Sequence, residues 1–204
     1  MVGVFGPVAS GKTFLIKQYV RKMDRVVVFD TTWEYDDAVD LVIEGSPKTL
    51  IDYLIDHREH HRVAYVARDL SNGFGWAVET LWQDDLPRWL VVEEVHAFMS
   101  PLWKHPSMDA LMRYSRKRNL GVIGTSQRVS SVHKDFCHGS RATILFGTSE
   151  PADVDAAADR FGASAGEQIQ TIRRLEYNDA TGSVGATPQI LWCERGREPR
   201  VEDL

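Results

Sequence analysis

The chain has 204 residues, 43% apolar and 26% charged, which suits a soluble globular protein of one domain with a sizeable core. Its two cysteines, Cys137 and Cys193, lie far apart without metal-ligand spacing, so a disulfide framework is excluded and a reduced, cytosolic-type protein is expected. A net charge of −5 excludes a uniformly basic nucleic-acid coat, and no apolar run approaches the length that crosses a bilayer.

In chain order, the first apolar run is Val2–Phe5, which predicts a strand at once and leaves no room for a secretory leader. It runs directly into Gly6, Pro7, Val8, Ala9, Ser10, Gly11, Lys12 and Thr13, which fit G-x-x-x-x-G-K-[ST]. The bare pattern arises by accident in roughly one chain in a hundred of this length. Its place between a strand and a helix predicted over Lys12–Lys22 turns the pattern into a mechanism. Loop N–H groups and the helix N-terminus converge on a polyphosphate, Lys12 reaches its β- and γ-phosphates, and the Thr13 hydroxyl holds Mg²⁺. ATP with Mg²⁺ is therefore the expected cofactor pair.

Further strands are predicted at Val26–Phe29, Val63–Val66, Trp89–Val92, Gly121–Thr125 and Thr143–Phe146. Helices are predicted over Pro47–Glu59, Trp76–Gln83, Met108–Arg118 and Ala152–Phe161. The strands read as continuous apolar runs, not alternating ones, so both faces are buried, and strand–helix alternation predicts a mostly parallel sheet between helices. After Gly162 the pattern becomes a short helix at about Gly166–Ile172, then a hairpin of Arg174–Tyr177 and Gln189–Cys193 around a turn at Asp179–Ser183. The charged tail Glu194–Leu204 is expected to be mobile. The expected organisation is a core over residues 1–162, with residues 163–204 adding a helix, hairpin and tail packed on it within a single domain.

Acids stand at one strand end. Trp89–Val92 leads into Glu93 and Glu94, and strand alternation is expected to send the two carboxylates to opposite faces. One holds the water shell of Mg²⁺ while the other polarises the attacking water. Gln127 follows the next strand, where an amide senses the γ-phosphate or merely caps a loop. Arg113, Arg116, Lys117 and Arg118 end a helix, where the dipole alone favours cations; the alternative is an arginine finger reaching a neighbouring subunit's nucleotide. Asp153, Asp155 and Asp159 follow Pro151 and suit a helix N-terminus. His57, Glu59, His60 and His61 read better as a solvated helix end than as metal ligands. From Lys104 to Lys134 there are seven Lys/Arg against one acid, whereas the remainder has 17 against 28. Such segregation suggests one face that meets phosphates.

Together these residues resemble the FtsK–HerA superfamily of DNA-pumping ATPases. Glu93-Glu-Val-His96 resembles its D-E-A-H stretch, and Arg116-Lys117…Gly121…Ser126-Gln-Arg128 its G-R-K-x-G-x-G…S/T-Q-R segment. Val28-Phe-Asp-Thr-Thr-Trp-Glu-Tyr35 resembles the D-x-x-x-E-Y of HerA-type members. Over roughly residues 2 to 161 the chain looks most like the small genome-packaging ATPases of membrane-containing icosahedral viruses. The resemblance implies a RecA-like (ASCE) α/β P-loop NTPase fold and DNA translocation by a homo-oligomeric ring, a pentamer or hexamer, that packages double-stranded DNA into a capsid. Partners at the capsid vertex or in a membrane are implied with it, as is a place in the host-cell cytoplasm or on the virion.

Carried over by position, Lys12 and Thr13 match the phosphate loop, Glu93 the Mg²⁺ acid, Glu94 the water-activating glutamate, Gln127 the sensor and Arg116 the arginine acting across subunits. Two departures stand out. Glu93 replaces the usual Asp, which leaves open which of Glu93 and Glu94 is the base. Ser115 replaces the glycine before the family's R-K, and Arg113 and Arg118 stand as alternatives to Arg116. Loops after the acid strand and after the sensor strand face the channel in related motors; here they carry Lys104, and Arg128 with Lys134, which would grip phosphates without reading bases. Two other readings compete. A small-molecule P-loop kinase should carry an arginine-bearing lid, and no such insertion is visible. An assembly, secretion or conjugation-type ATPase usually adds a membrane segment.

Overall fold

The computed structural model describes residues 1–83, 86–173, 177–178, 183–184 and 188–204. The chain divides into two compact units, one of Met1–Lys12, Ser100–Leu102 and Thr125–Leu204, the other of Thr13–Met99 and Trp103–Gly124. Its strands are Val2–Phe5 (β1), Arg25–Phe29 (β2), Leu41–Glu44 (β3), His61–Val66 (β4), Arg88–Val92 (β5), Met99–Ser100 (β6), Trp103–Lys104 (β7), Leu120–Ser126 (β8), Ala142–Phe146 (β9), Tyr177–Asn178 (β10), Ser183–Val184 (β11), Gln189–Glu194 (β12) and Arg200–Asp203 (β13). In the first unit the strand order is β13-β12-β9-β1, and in the second it is β8-β5-β2-β4-β3. Helices Lys12–Val20 (α1), Pro47–Asp56 (α2), Leu70–Trp82 (α3), Pro106–Tyr114 (α4), Lys134–Gly139 (α5), Pro151–Phe161 (α6) and Ala163–Thr171 (α7) complete the α/β fold.

In the second unit β8, β5, β2, β4 and β3 run parallel. Every residue of β2 is buried, as its unbroken Val26–Phe29 run requires of a strand covered on both faces. Phe29, its last residue, meets Tyr65, Phe74 and Phe98 edge-on at centroid distances of 5.8, 5.4 and 5.5 Å, so the end of β2 is clamped where the chain leaves the sheet. β3 has no counterpart among the predicted strands. It is the edge strand, only Ile43 is buried in it, and it therefore shows no continuous apolar run. Helix α3 starts at Leu70, six residues before the predicted Trp76. The Asp69 carboxylate accepts the Asn72 N–H and caps the first turn, whereas Gly73 and Gly75 hide the helical pattern there.

In the first unit β1 and β9 are parallel, and β12 pairs antiparallel with both β9 and β13. The C-terminal hairpin is present, but it closes between β12 and β13. The segment expected to be a mobile tail therefore supplies a strand, with Trp192 opposite Arg200 and Gln189 opposite Asp203. Gln189–Cys193 does not pair with Tyr177; β10 pairs with β11, and residues 174–176 and 179–182 of the expected hairpin lie outside the described residues. Among the described residues no helix is long and apolar enough to cross a membrane.

Candidate active site

The phosphate-loop part belongs to the first unit. β1 ends at Phe5, and the Gly6 N–H donates to the Ser126 carbonyl at 3.2 Å, which fixes where the loop begins. A Cβ on Gly6 would come within 2.4 Å of the Phe146 Cβ, so only glycine lets the chain pass there. Ala9 and Gly11 are left-handed, with φ of 59° and 98°, on either side of Ser10. The Ser10 N–H donates back to the Pro7 carbonyl at 3.3 Å, closing a turn within the loop. The loop then enters α1, whose N-terminal dipole favours an anion. Lys12 is only 8% exposed, and its Nζ donates to the Pro7 carbonyl at 2.9 Å, so the ammonium is folded back over its own loop. Gln127, just past β8, lines a small cavity together with Gly6, Phe146 and Thr148. The sensor candidate and the start of the phosphate loop are thus brought together.

The acid part belongs to the second unit. The Thr13 hydroxyl donates to Glu34 Oε2 at 3.0 Å. Asp30, at the end of β2, is 1% exposed, and its carboxylate organises the turn that follows. It accepts from the Thr32 N–H at 3.0 Å, the Trp33 N–H at 2.8 Å and the Tyr35 N–H at 3.3 Å. Tyr35 is fully buried; burial first, and then the Glu93 charge, hold its phenol well above the usual range.

Glu93 extends the β5–β2 pairing through its N–H, which donates to the Phe29 carbonyl at 3.1 Å. Burial pushes its carboxyl up to about 7; the Tyr35 hydroxyl pulls it down, and the charges of Asp30, Glu34 and Glu94 push the same way as burial. Strand alternation does not set the relation of the two glutamates, contrary to the sequence expectation. β5 stops at Val92, and Glu94 lies in the left-handed region at φ 49°, ψ 53°, ahead of a tight 3-10 turn over Val95–Ala97. The Glu94 carboxylate pairs with His96 Nδ1 at 3.0 Å.

Thr13, Glu34 and Glu93 offer hard oxygen donors, and their surplus negative charge is what a divalent cation would relieve; the residues fit Mg²⁺. Among the described residues no three His, Cys, Asp or Glu side chains converge on one point, so such a cation would draw its remaining ligands from phosphate and water.

The other predicted residues fall into two groups. Arg116, with Lys117 and Arg118, sits exposed in a 3-10 turn after α4 and makes no ion pair among the described residues. Lys134 is exposed at the start of α5. The remaining cations are engaged by acids. Lys104 Nζ lies 3.7 Å from Asp109, which also holds Arg113 at 2.8 Å. Arg128 pairs with Glu150 at 3.0 Å and Asp153 at 3.5 Å. Asp153 is buried, and besides suiting the α6 N-terminus it accepts from the Ser130 N–H and hydroxyl at 3.0 and 2.6 Å. The loop after β8 is thereby stitched to α6. Asp30, Glu34 and Tyr35 received no role from sequence reasoning; the one signal was the D-x-x-x-E-Y resemblance that contains them.

No family model matches the chain, and no curated protein does. Solved structures do. The genome packaging NTPase B204 of Sulfolobus turreted icosahedral virus 2, in complex with AMP, aligns with a TM-score of 0.79 at 18% identity over 100% of this chain and 96% of that one. The DNA-packaging ATPase B204 of Sulfolobus Turreted Icosahedral Virus aligns at 0.74 and 17% identity, over 99% and 96%. The bacterial conjugative coupling protein TrwBdeltaN70 aligns at 0.63 and 10% identity, over 100% and 84%. The chain shares the fold of these packaging NTPases and of the coupling protein.

Proposed function

We propose that the chain is a nucleoside triphosphatase whose hydrolysis moves double-stranded DNA, as in packaging a viral genome, and that it works as a ring of identical protomers. The observation that carries the reading is the loop of residues 6–13 set between β1 and the N-terminus of α1, with Ala9 and Gly11 left-handed at its mouth. The likeness in fold to a genome packaging NTPase whose structures are in complex with AMP, AMPPCP and ATP-gammaS supports it. In this reading residues 6–13 bind the triphosphate, and Lys12 leaves the Pro7 carbonyl for the β- and γ-phosphates. Thr13 and Glu93 hold the Mg²⁺, which when bound neutralises charge on the transferred phosphoryl group. Glu94 positions and deprotonates the attacking water, and Gln127 senses the γ-phosphate. Arg116 serves a neighbouring protomer's site.

Surface composition supports a neighbour. Phe14 and Trp33, adjacent in sequence to Thr13 and Glu34, are 61% and 56% exposed, apolar surface that a second protomer would cover. For DNA, Lys134 is the ready contact. Lys104 and Arg128 would have to leave Asp109, Glu150 and Asp153 first. The fold likeness to a conjugative coupling protein favours a second reading, a DNA-moving ATPase of a transfer apparatus.

The test is ATPase rate against protein concentration, with and without double-stranded DNA. A motor gives turnover per subunit that rises with concentration and with DNA, and weakens with salt. A rate indifferent to both overturns the reading.

A further inference from the structure

The loop Asp30–Tyr35 is built with more care than a surface connection needs. Its first residue is a buried aspartate that spends its carboxylate on three backbone N–H groups of that loop. Trp33 is held at φ 61°, a conformation that costs an L-residue about 1–2 kcal/mol. Tyr35 is buried completely. Glu34 thus sits between two residues, Trp33 and Tyr35, whose N–H groups are both bonded to the Asp30 carboxylate. It is itself exposed, and its carboxylate accepts the Thr13 hydroxyl at 3.0 Å. A strained, clamped loop that presents one carboxylate to the hydroxyl of the phosphate-loop threonine is a construction in need of a purpose.

A hydroxyl that gives its proton to a fixed acceptor keeps its lone pairs for another partner, and a carboxylate beside it adds charge that favours a cation. Of the other two glutamates, Glu94 pairs with His96 and Glu93 faces Tyr35. We infer that Glu34 is a positioning residue of the nucleotide site: it takes the Thr13 hydroxyl proton in a hydrogen bond and so makes that oxygen a ligand for the divalent cation carried by a triphosphate. This rests on residues 6–13 binding a nucleotide. It assigns work to a carboxylate after β2, besides the acid pair after β5.

The experiment measures affinity of the full chain for ATPγS by calorimetry, once in Mg²⁺ and once in EDTA. Glu34→Ala is expected to lose about 10–100-fold in Mg²⁺, the range for removing a group that orients a metal ligand. In EDTA it should bind as wild type does, or more tightly, because a negative charge near the phosphates is gone. Glu34→Gln keeps an acceptor oxygen without charge and should lose less than Glu34→Ala. In a Thr13→Ala background, Glu34→Ala should add little, since the two groups act as a unit. A Glu34→Ala protein that melts like wild type yet keeps its full Mg²⁺ dependence overturns the inference. So does an equal loss in Mg²⁺ and EDTA, which marks a merely structural contact. Wild type that binds ATPγS in neither condition overturns the nucleotide reading itself, a result distinct from both.

Discussion

The ends of β1 and β5 solve the same problem with opposite materials. At β1 the proposed surface is backbone: a loop bent by left-handed Ala9 and Gly11, on a path that Gly6 keeps clear of Phe146. At β5 it is side chain: a buried carboxyl pushed up to about 7, followed by a glutamate that itself occupies the left-handed position. A backbone site can be specified by where glycine stands. A side-chain site depends on neighbours supplied by distant segments, here Asp30, Glu34 and Tyr35. The first kind should govern binding, and the second should govern turnover.

Neither strand end carries an arginine, and the largest expected effect lies outside both. Arg116→Ala should lower turnover roughly 10³–10⁵-fold, the range for an arginine finger. Mixing it with a protein intact at Arg116 but disabled at Lys12 should restore part of the rate. Absence of rescue moves the finger to Arg113 or Arg118. Next comes the division of labour itself. Glu94→Gln should retain ATPγS affinity while turnover falls about 10²–10⁴-fold, as for loss of a general base. A near-normal rate would make Glu93 the base.

How far each end was legible follows from the same contrast. The β2 and β9 strands and the phosphate loop are written in local runs, Val26–Phe29, Thr143–Phe146 and residues 6–13, and sequence reasoning placed them. It placed Glu93 and Glu94 at a strand end but assumed alternation, because nothing in Trp89–Val92 announces that the next turn is left-handed. The ion pairs of Arg128 with Glu150 and Asp153, more than 20 residues away, are a tertiary fact with no local mark. Sequence reasoning read Asp153 from local position alone and missed that this residue is buried against Ser130. Short or edge elements escaped for lack of pattern: α5 spans only six residues, and β3 buries one side chain.

Two smaller effects sharpen the contrast in stability instead of rate. Gly6→Ala must move either the loop or Phe146 to relieve a 2.4 Å approach, so urea unfolding should show a loss of about 1–3 kcal/mol, the usual cost of overpacking. An unchanged midpoint would show that the loop start yields easily and that Gly6 is not required by space.

The smallest effect has the opposite sign and isolates the strain at the β5 end. Glu94→Ala and Glu94→Gly both remove the carboxylate and its pair with His96, so they differ only in the Cβ. A left-handed L-residue costs about 1–2 kcal/mol, and glycine gives back about 0.5–1 kcal/mol of that in chain entropy. Glu94→Gly should therefore be the more stable of the two by about 0.5–1 kcal/mol, read as a higher urea midpoint at equal slope. That ordering would mean the protein holds a glutamate where glycine folds better, strain retained for chemistry in the manner of functional sites. The reverse ordering would mean that φ of 49° costs nothing here, and the two strand ends would then differ only in which atoms they present.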